Sequence, residues 1–185
     1  MQPLQYALVA YVKAPVGQFV ERLRRELRST LPHLPAHITI LPPRVLQGSE
    51  EQAREIVEQV CSQASPFEVV MGEVETFVPQ TATVFIRVAH GAYRMRELHD
   101  QLNHGPLQFQ EQFPYMPHLT IAKLSSATEA KSALQLAQDR WSEYSGNRRI
   151  LIEELTFVRE GQGSTWDDLA PVPLGGNLVA KPTSY

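Results

Sequence analysis

Pro35-Ala36-His37-Ile38-Thr39-Ile40 is echoed 81 residues later by Met116-Pro117-His118-Leu119-Thr120-Ile121. Each stretch carries a histidine, an apolar residue, a threonine and a second apolar residue, with a proline just upstream. Alternation of this kind reads as a half-buried strand, because side chains two apart share a face. His37 and Thr39 then point one way and Ile38 and Ile40 the other. His118 and Thr120 stand in the same relation to Leu119 and Ile121. One such pair says little, since a lone His-x-Thr on a strand is usually a satisfied core or edge pair. Two pairs in the same flanking context point to a site built by near-symmetry, with two imidazoles and two hydroxyls facing a common cleft.

Upstream of the first copy, Leu4–Val12 is almost wholly apolar and rich in strand formers, so it reads as a central strand. Pro15 suits the first turn of a helix. Val16, Phe19, Val20, Leu23 and Leu27 then recur as one helical face. Arg22, Arg24, Arg25 and Arg28 lie largely off that face, as a solvated surface or, on a sharper reading, a guide for a phosphate backbone. Pro32-His33-Leu34-Pro35 breaks the helix. The motif strand covers Ala36–Leu41, and Pro42-Pro43 stops it. Ser49 with Gln52 forms a capping box opening a second helix to about Ala64, with Ala53, Ile56, Val57 and Val60 inward.

Between the two copies, Phe67–Thr76 and Thr83–Ala89 read as a hairpin joined by 77–82. Gly91 opens a third helix, with Tyr93, Met95, Leu98 and Leu102 apolar, that ends near Gly105-Pro106. The second motif strand runs His118–Leu124. A capping box at Ser126 and Glu129 opens a fourth helix to about Tyr144, with Ala130, Ala133, Leu134, Ala137 and Trp141 on its face. Arg149–Arg159 reads as a last strand with a bulge at Glu153-Glu154. From Gly161 the chain turns Gly- and Pro-rich, and 171–185 is expected to be a loose tail. Both motif strands therefore follow one helix and precede another.

Length and composition fit one soluble domain: 185 residues, 43% hydrophobic and 20% charged. A net charge of -3 gives no global attraction to nucleic acid, so any RNA contact must come from a local patch. The single cysteine, Cys61, excludes an internal disulfide and a multi-Cys metal cage, and its spacing with Val57 and Val60 makes it a buried thiol. No basic run precedes the short apolar Leu4–Val12 stretch, and no apolar run approaches the ~20 residues that span a bilayer. A cytoplasmic protein with no membrane partner is expected.

An unperturbed imidazole titrates near 6.5, so of two histidines in one cleft one can act as base and the other as acid. Hydroxyls beside them can hold anionic oxygens. A phosphodiester is the natural substrate: one imidazole activates the attacking oxygen and the other protonates the leaving oxygen. No cofactor is required. Metal binding through His33, His37 and His118 is the rival, but Pro35 keeps His33 and His37 off a shared helix face, and no acidic or Cys partner stands at ligand spacing. His99 and His104 read as surface residues and His90 as a turn residue. Lys123 falls on the opposite strand face from His118 by alternation.

The paired motifs, their separation and their Pro-x-His or Pro-His entry resemble the two-histidine phosphoesterases, which include the 2'-5' RNA ligases and the RNA 2',3'-cyclic phosphodiesterases. Glu75–Pro79 followed by Thr83–Ile86 looks like the family segment between its motifs, and Leu151–Val158 like its last strand. The resemblance implies a bilobal α+β fold of two antiparallel sheets related by a pseudo-twofold, with helices on the outer faces and one motif strand from each lobe lining a central cleft. One lobe would come from the N- and C-terminal segments and the other from the middle of the chain. Catalytic roles carry over to His37 and Thr39, and to His118 and Thr120, with His37 as proton donor to the leaving oxygen and His118 as base on water. RNA ends or small cyclic nucleotides would be the partners of a monomer, with reversible 2'-5' ligation as the reverse reaction. A nucleotide- or RNA-binding module of the same fold without turnover is the alternative. Arg44, just past the first motif, and Phe77, able to stack on a base, are the candidate substrate contacts.

Overall fold

A computed structural model describes residues 3–28 and 34–176. His33 and 177–185 lie outside them. Eight strands and four α-helices follow in the order β1 (Tyr6–Tyr11), α1 (Val16–Glu26), β2 (His37–Arg44), α2 (Glu50–Gln63), β3 (Phe67–Thr76), β4 (Thr83–His90), α3 (Ala92–Leu102), β5 (His118–Lys123), α4 (Ala127–Glu143), β6 (Arg149–Ile152), β7 (Glu154–Glu160) and β8 (Trp166–Pro173). The helix starts obey their caps. Ser49 accepts from the Gln52 amide and Gln52 returns the bond, whereas Ser126 caps Glu129 alone while the Glu129 carboxylate turns back to Ser125.

All strands join one curled antiparallel sheet in the order β6-β3-β4-β5-β2-β1-β7-β8, not the two sheets expected. Its middle is a narrow seam, where β2 and β5 share the single pair Ile38–Leu119. The strands on one side of the seam all come from 67–152, and those on the other from the two ends of the chain. The connection order is the same about each motif strand: β1-α1-β2-α2 and β4-α3-β5-α4.

The helices cover one face of the sheet. There Ile38, Ile40, Leu119 and Ile121 join the main core, fully buried, with Val20 and Leu23 of α1, Val57 of α2, Met95 of α3 and Trp141 of α4. Two helices reach over the seam: α1 packs on β5 and α3 on β2. Phe19 of α1 meets Trp141 and Tyr144, at 5.3 and 4.9 Å between ring centroids, and Arg140 pairs with Glu26 at 2.7 Å. Gly17 lets α1 start close under β1, since a side chain there would run into the Val12 carbonyl.

Three strand expectations are corrected. β2 continues through Pro42-Pro43 to Arg44, because a register shift against β1 accommodates the prolines. Arg149–Arg159 is two strands, not one bulged strand. β6 pairs with β3 at one edge of the sheet, and Glu153 is the crossing point from which β7 reaches β1 in the other half. The supposed loose tail begins inside β8, which pairs with β7 as far as Pro173, and Leu174 behind it is buried.

Candidate active site

His37, Thr39, His118 and Thr120 are each half-buried on the helix-free face, and the residues between them are fully buried. The antiparallel pair Ile38–Leu119 sets Thr39 beside His118 and His37 beside Thr120 in register. The two pairs thus lie on adjacent strands at the middle of the sheet.

The rings are held alike. His37 Nδ1 lies 2.7 Å from the Pro35 carbonyl, and His118 Nδ1 lies 2.7 Å from the Met116 carbonyl. A carbonyl only accepts, so each Nδ1 carries the proton and each Nε2 is left with its lone pair. The upstream residues thus fix the tautomer. Aromatic rings flank both: Tyr11 stands edge-on to His37 at 6.5 Å, while Phe77 and Phe85 stand edge-on to His118 at 5.0 and 5.2 Å. Tyr11 is itself oriented by a 2.5 Å hydrogen bond from its hydroxyl to Asp168.

Burial is the main cause that lowers the proton affinity of both rings. His37 is pushed down to about 4, with the Pro35 hydrogen bond opposing and the charges of Arg24, His118 and Lys123 adding to the fall. His118 is also lowered, by burial and then by Lys123, against its own bond to Met116. Both imidazoles are therefore neutral at neutral pH, in a positive field.

Lys123 is the residue that alternation misplaces. Thr120 pairs with Phe85 and Ala122 with Val84, so β5 holds one extra residue there. Ile121 and Ala122 both turn to the core, and Lys123, opposite Thr83, returns to the face of His118. The same bulge follows the first motif: Thr39 pairs with Val9 and Leu41 with Leu8, and Ile40 and Leu41 are both buried. The apolar doublets Ile40-Leu41 and Ile121-Ala122 are its visible signal in the sequence.

Each threonine carbonyl is gripped by a side chain from across the seam. Arg24 of α1 donates to the Thr120 carbonyl at 2.7 Å, and Tyr115 donates to the Thr39 carbonyl at 2.8 Å. Arg24 is buried, contrary to its reading as surface, and also bonds Glu21 and the Leu34 carbonyl. Behind Tyr115, the His99 ring stacks at 4.2 Å and its Nε2 meets Glu111 at 2.8 Å. His99 is thus buried, not a surface residue. Glu111 in turn pairs at 2.6 Å with Arg44.

Arg44 is therefore no substrate contact. It is 1% exposed, and its donors are taken by the Pro42 and Leu107 carbonyls, Asn103 and Glu111. It anchors the loop 103–117 that delivers Tyr115. Phe77 is half-buried, edge-on to His118 at 5.0 Å and stacked on Phe85 at 4.1 Å. Cys61 is buried, and burial raises its thiol to about 12. Among the described residues, no group of three or more His, Cys, Asp or Glu is arranged to hold a metal, and no helix is long and apolar enough to cross a membrane.

The family model for the 2'-5' RNA ligase superfamily matches residues 12–164, which hold both motifs and every strand from β2 to β7. The chain belongs to the 2'-5' RNA ligase superfamily. Its relatives include the phosphoesterase candidate BH1439 of Halalkalibacterium halodurans, 29% identical over 139 residues that cover 71% of this chain and 77% of that one. Another is OB1230 of Oceanobacillus iheyensis, also a phosphoesterase candidate, 24% identical over 123 residues, covering 65% of this chain and 71% of that one. Among solved structures, E. coli LigT with NADP+ has the same fold at a TM-score of 0.66 and 12% identity, covering 95% of this chain and all of LigT. TT0787 of Thermus thermophilus follows at 0.63 and 17% identity, covering 93% of this chain and 98% of that one. These shared folds span nearly the whole chain.

Proposed function

We propose that the protein is a metal-independent phosphodiesterase that opens 2',3'-cyclic phosphates, at RNA ends or in small nucleotides, to 2'-phosphates. Ligation of a 2'-5' bond is the same path run backward. The observation that carries this reading is the matched pair of imidazoles on adjacent strands, each with Nδ1 tied to a carbonyl two residues upstream and Nε2 left to exchange protons. LigT, whose fold the chain shares, has been captured with phosphate and with 3'-AMP.

Water attacks phosphorus and its proton passes to His118 Nε2. The bond from phosphorus to the 3'-oxygen breaks, and that oxygen takes the proton carried by His37 Nε2. The two rings end with their protons exchanged and solvent restores them. Free His37, at about 4, is short of the proton it must donate. An anionic phosphodiester supplies the opposing charge: set among Arg24, Lys123 and the two rings, it raises the proton affinity of both imidazoles on binding. Thr39 and Thr120 hold the non-bridging oxygens, Lys123 stabilises charge on them as the transition state forms, and Phe77 offers a ring for a base to stack on.

Hydrolysis of a 2',3'-cyclic nucleotide in excess chelator, with the product isomer identified by phosphorus NMR, tests the reading. His37→Ala and His118→Ala should each lose roughly 10²-fold or more in kcat. Thr39→Ala and Thr120→Ala should cost about 1 kcal/mol each in kcat/KM. Full activity in either histidine variant would overturn the mechanism. Tight binding of a 2'-phosphate without turnover on any substrate would favour a binding module, and loss of activity on chelation a metal enzyme.

A further inference from the structure

Eight arginines make ion pairs with carboxylates among the described residues: Arg24, Arg44, Arg54, Arg87, Arg94, Arg140, Arg149 and Arg159. The side chains of Lys13, Arg22 and Arg25 make none, nor any hydrogen bond, among those residues. These three cations surround one hollow. It is a cavity of about 400 Å³ between the end of β1, the exposed side of α1 and the segment Pro35-Ala36. Its one carboxylate, Glu21, is already committed: its Oε1 accepts from Arg24 at 3.0 Å and from the Ala36 amide at 2.6 Å. Among the described residues, the hollow therefore presents three cations without a carboxylate partner, on a chain whose net charge is -3.

Its position relates it to the chemistry. Pro35 and Ala36 form part of the wall, and His37 is the next residue. The hollow opens on the α1 side of the sheet and the His37 ring stands on the other, so a strand joins the two around the ends of β1 and β2. Gln18 adds an amide to the lining without adding charge. No aromatic side chain lines the hollow, so it offers a base no ring to stack on.

We infer that Lys13, Arg22 and Arg25 form a subsite for a backbone phosphate of a single-stranded RNA whose 3' end is held between His37 and His118. The inference rests on the phosphodiester reading of the site. It adds a length preference: an oligonucleotide ending in a 2',3'-cyclic phosphate fills the hollow, and a mononucleotide does not reach it.

Two measurements test this on the full chain. In the first, a fluorescent single-stranded RNA decamer with a 3'-terminal phosphate is titrated by anisotropy at several salt concentrations. The double variant Arg22→Ala/Arg25→Ala should bind at least 10-fold more weakly than the native protein at low salt. Its plot of log affinity against log salt should be shallower by ~0.7, the share of one phosphate contact on a single strand. Arg22→Lys/Arg25→Lys should keep most of the affinity, because a phosphate contact here needs charge. Equal binding by native protein and alanine variant, or no RNA binding by the native protein, overturns the subsite. In the second, kcat/KM is compared on a 2',3'-cyclic mononucleotide and on the oligonucleotide. The alanine variant should lose at least 10-fold on the oligonucleotide, through KM, and nothing on the mononucleotide. An equal loss on both overturns the subsite. A native protein that binds RNA through these residues yet hydrolyses neither substrate leaves the subsite standing and overturns the catalytic reading.

Discussion

Each imidazole of the cleft binds its proton less well in the folded chain than in the unfolded one, and this has a measurable sign. Between about 4 and the unfolded value near 6.5, the unfolded chain holds a proton on His37 that the folded chain does not. Unfolding then takes up protons, so stability falls as the pH is lowered through that window and changes no further on this account below about 4. The melting temperature of the native protein should therefore drop more steeply from pH 7 to pH 4.5 than that of His37→Ala. Parallel curves would contradict the buried, unprotonated ring. At this scale the sequence already displays the four side chains that meet, because the alternation through Ile38 and Leu119 is unbroken. It does not display Lys123, whose face depends on a bulge three residues into the strand, or the bonds by which Arg24 and Tyr115 reach threonine carbonyls more than 70 residues away.

The loop between α3 and β5 shows how polar groups can add to a buried apolar anchor, Leu107, in fixing an element. Arg44, Glu111, His99 and Tyr115 form one connected chain of contacts that ends on the Thr39 carbonyl. Arg44 is a cation out of water, so removing it strands the Glu111 carboxylate, 14% exposed, beside His99. Arg44→Ala should destabilise the protein by ~3–5 kcal/mol in urea denaturation. Tyr115→Phe removes one hydrogen bond, and should cost about 1 kcal/mol of stability. A stable Arg44→Ala protein whose only defect is a raised KM would restore that residue to the substrate side. Proline and the capping serines mark the helices well from sequence, since those signals are local. The split of 149–159 into β6 and β7 is not local. Ile150 and Ile152 are apolar like Leu155 and Phe157, and only the partners, β3 and β1, distinguish them. β8 hides for another reason: its prolines at 171 and 173 read as loop, yet it occupies the sheet edge, where the missing amide hydrogens cost little.

At the scale of the molecule, a seam one residue pair wide would be weak if it stood alone. The helices crossing it supply the rest, with Phe19 wedged against Trp141 and Tyr144 as the apolar bridge. Phe19→Ala should cost ~3–5 kcal/mol. Unfolding followed by tryptophan fluorescence and by far-ultraviolet circular dichroism should still coincide, because the two sides of the seam share one core. Two separated transitions would mean that each side folds by itself. The strand order carries one more implication, for the chain as it is being made. His37 and His118 are both synthesised by residue 118, yet β1, which lies against β2, gains its second neighbour only with residues 154–160. Neither side of the seam contains a complete acid–base pair. A nascent chain thus carries both histidines well before the sheet around them is complete, because β7 and β8 close the β1 side only once the last third of the sequence is being made.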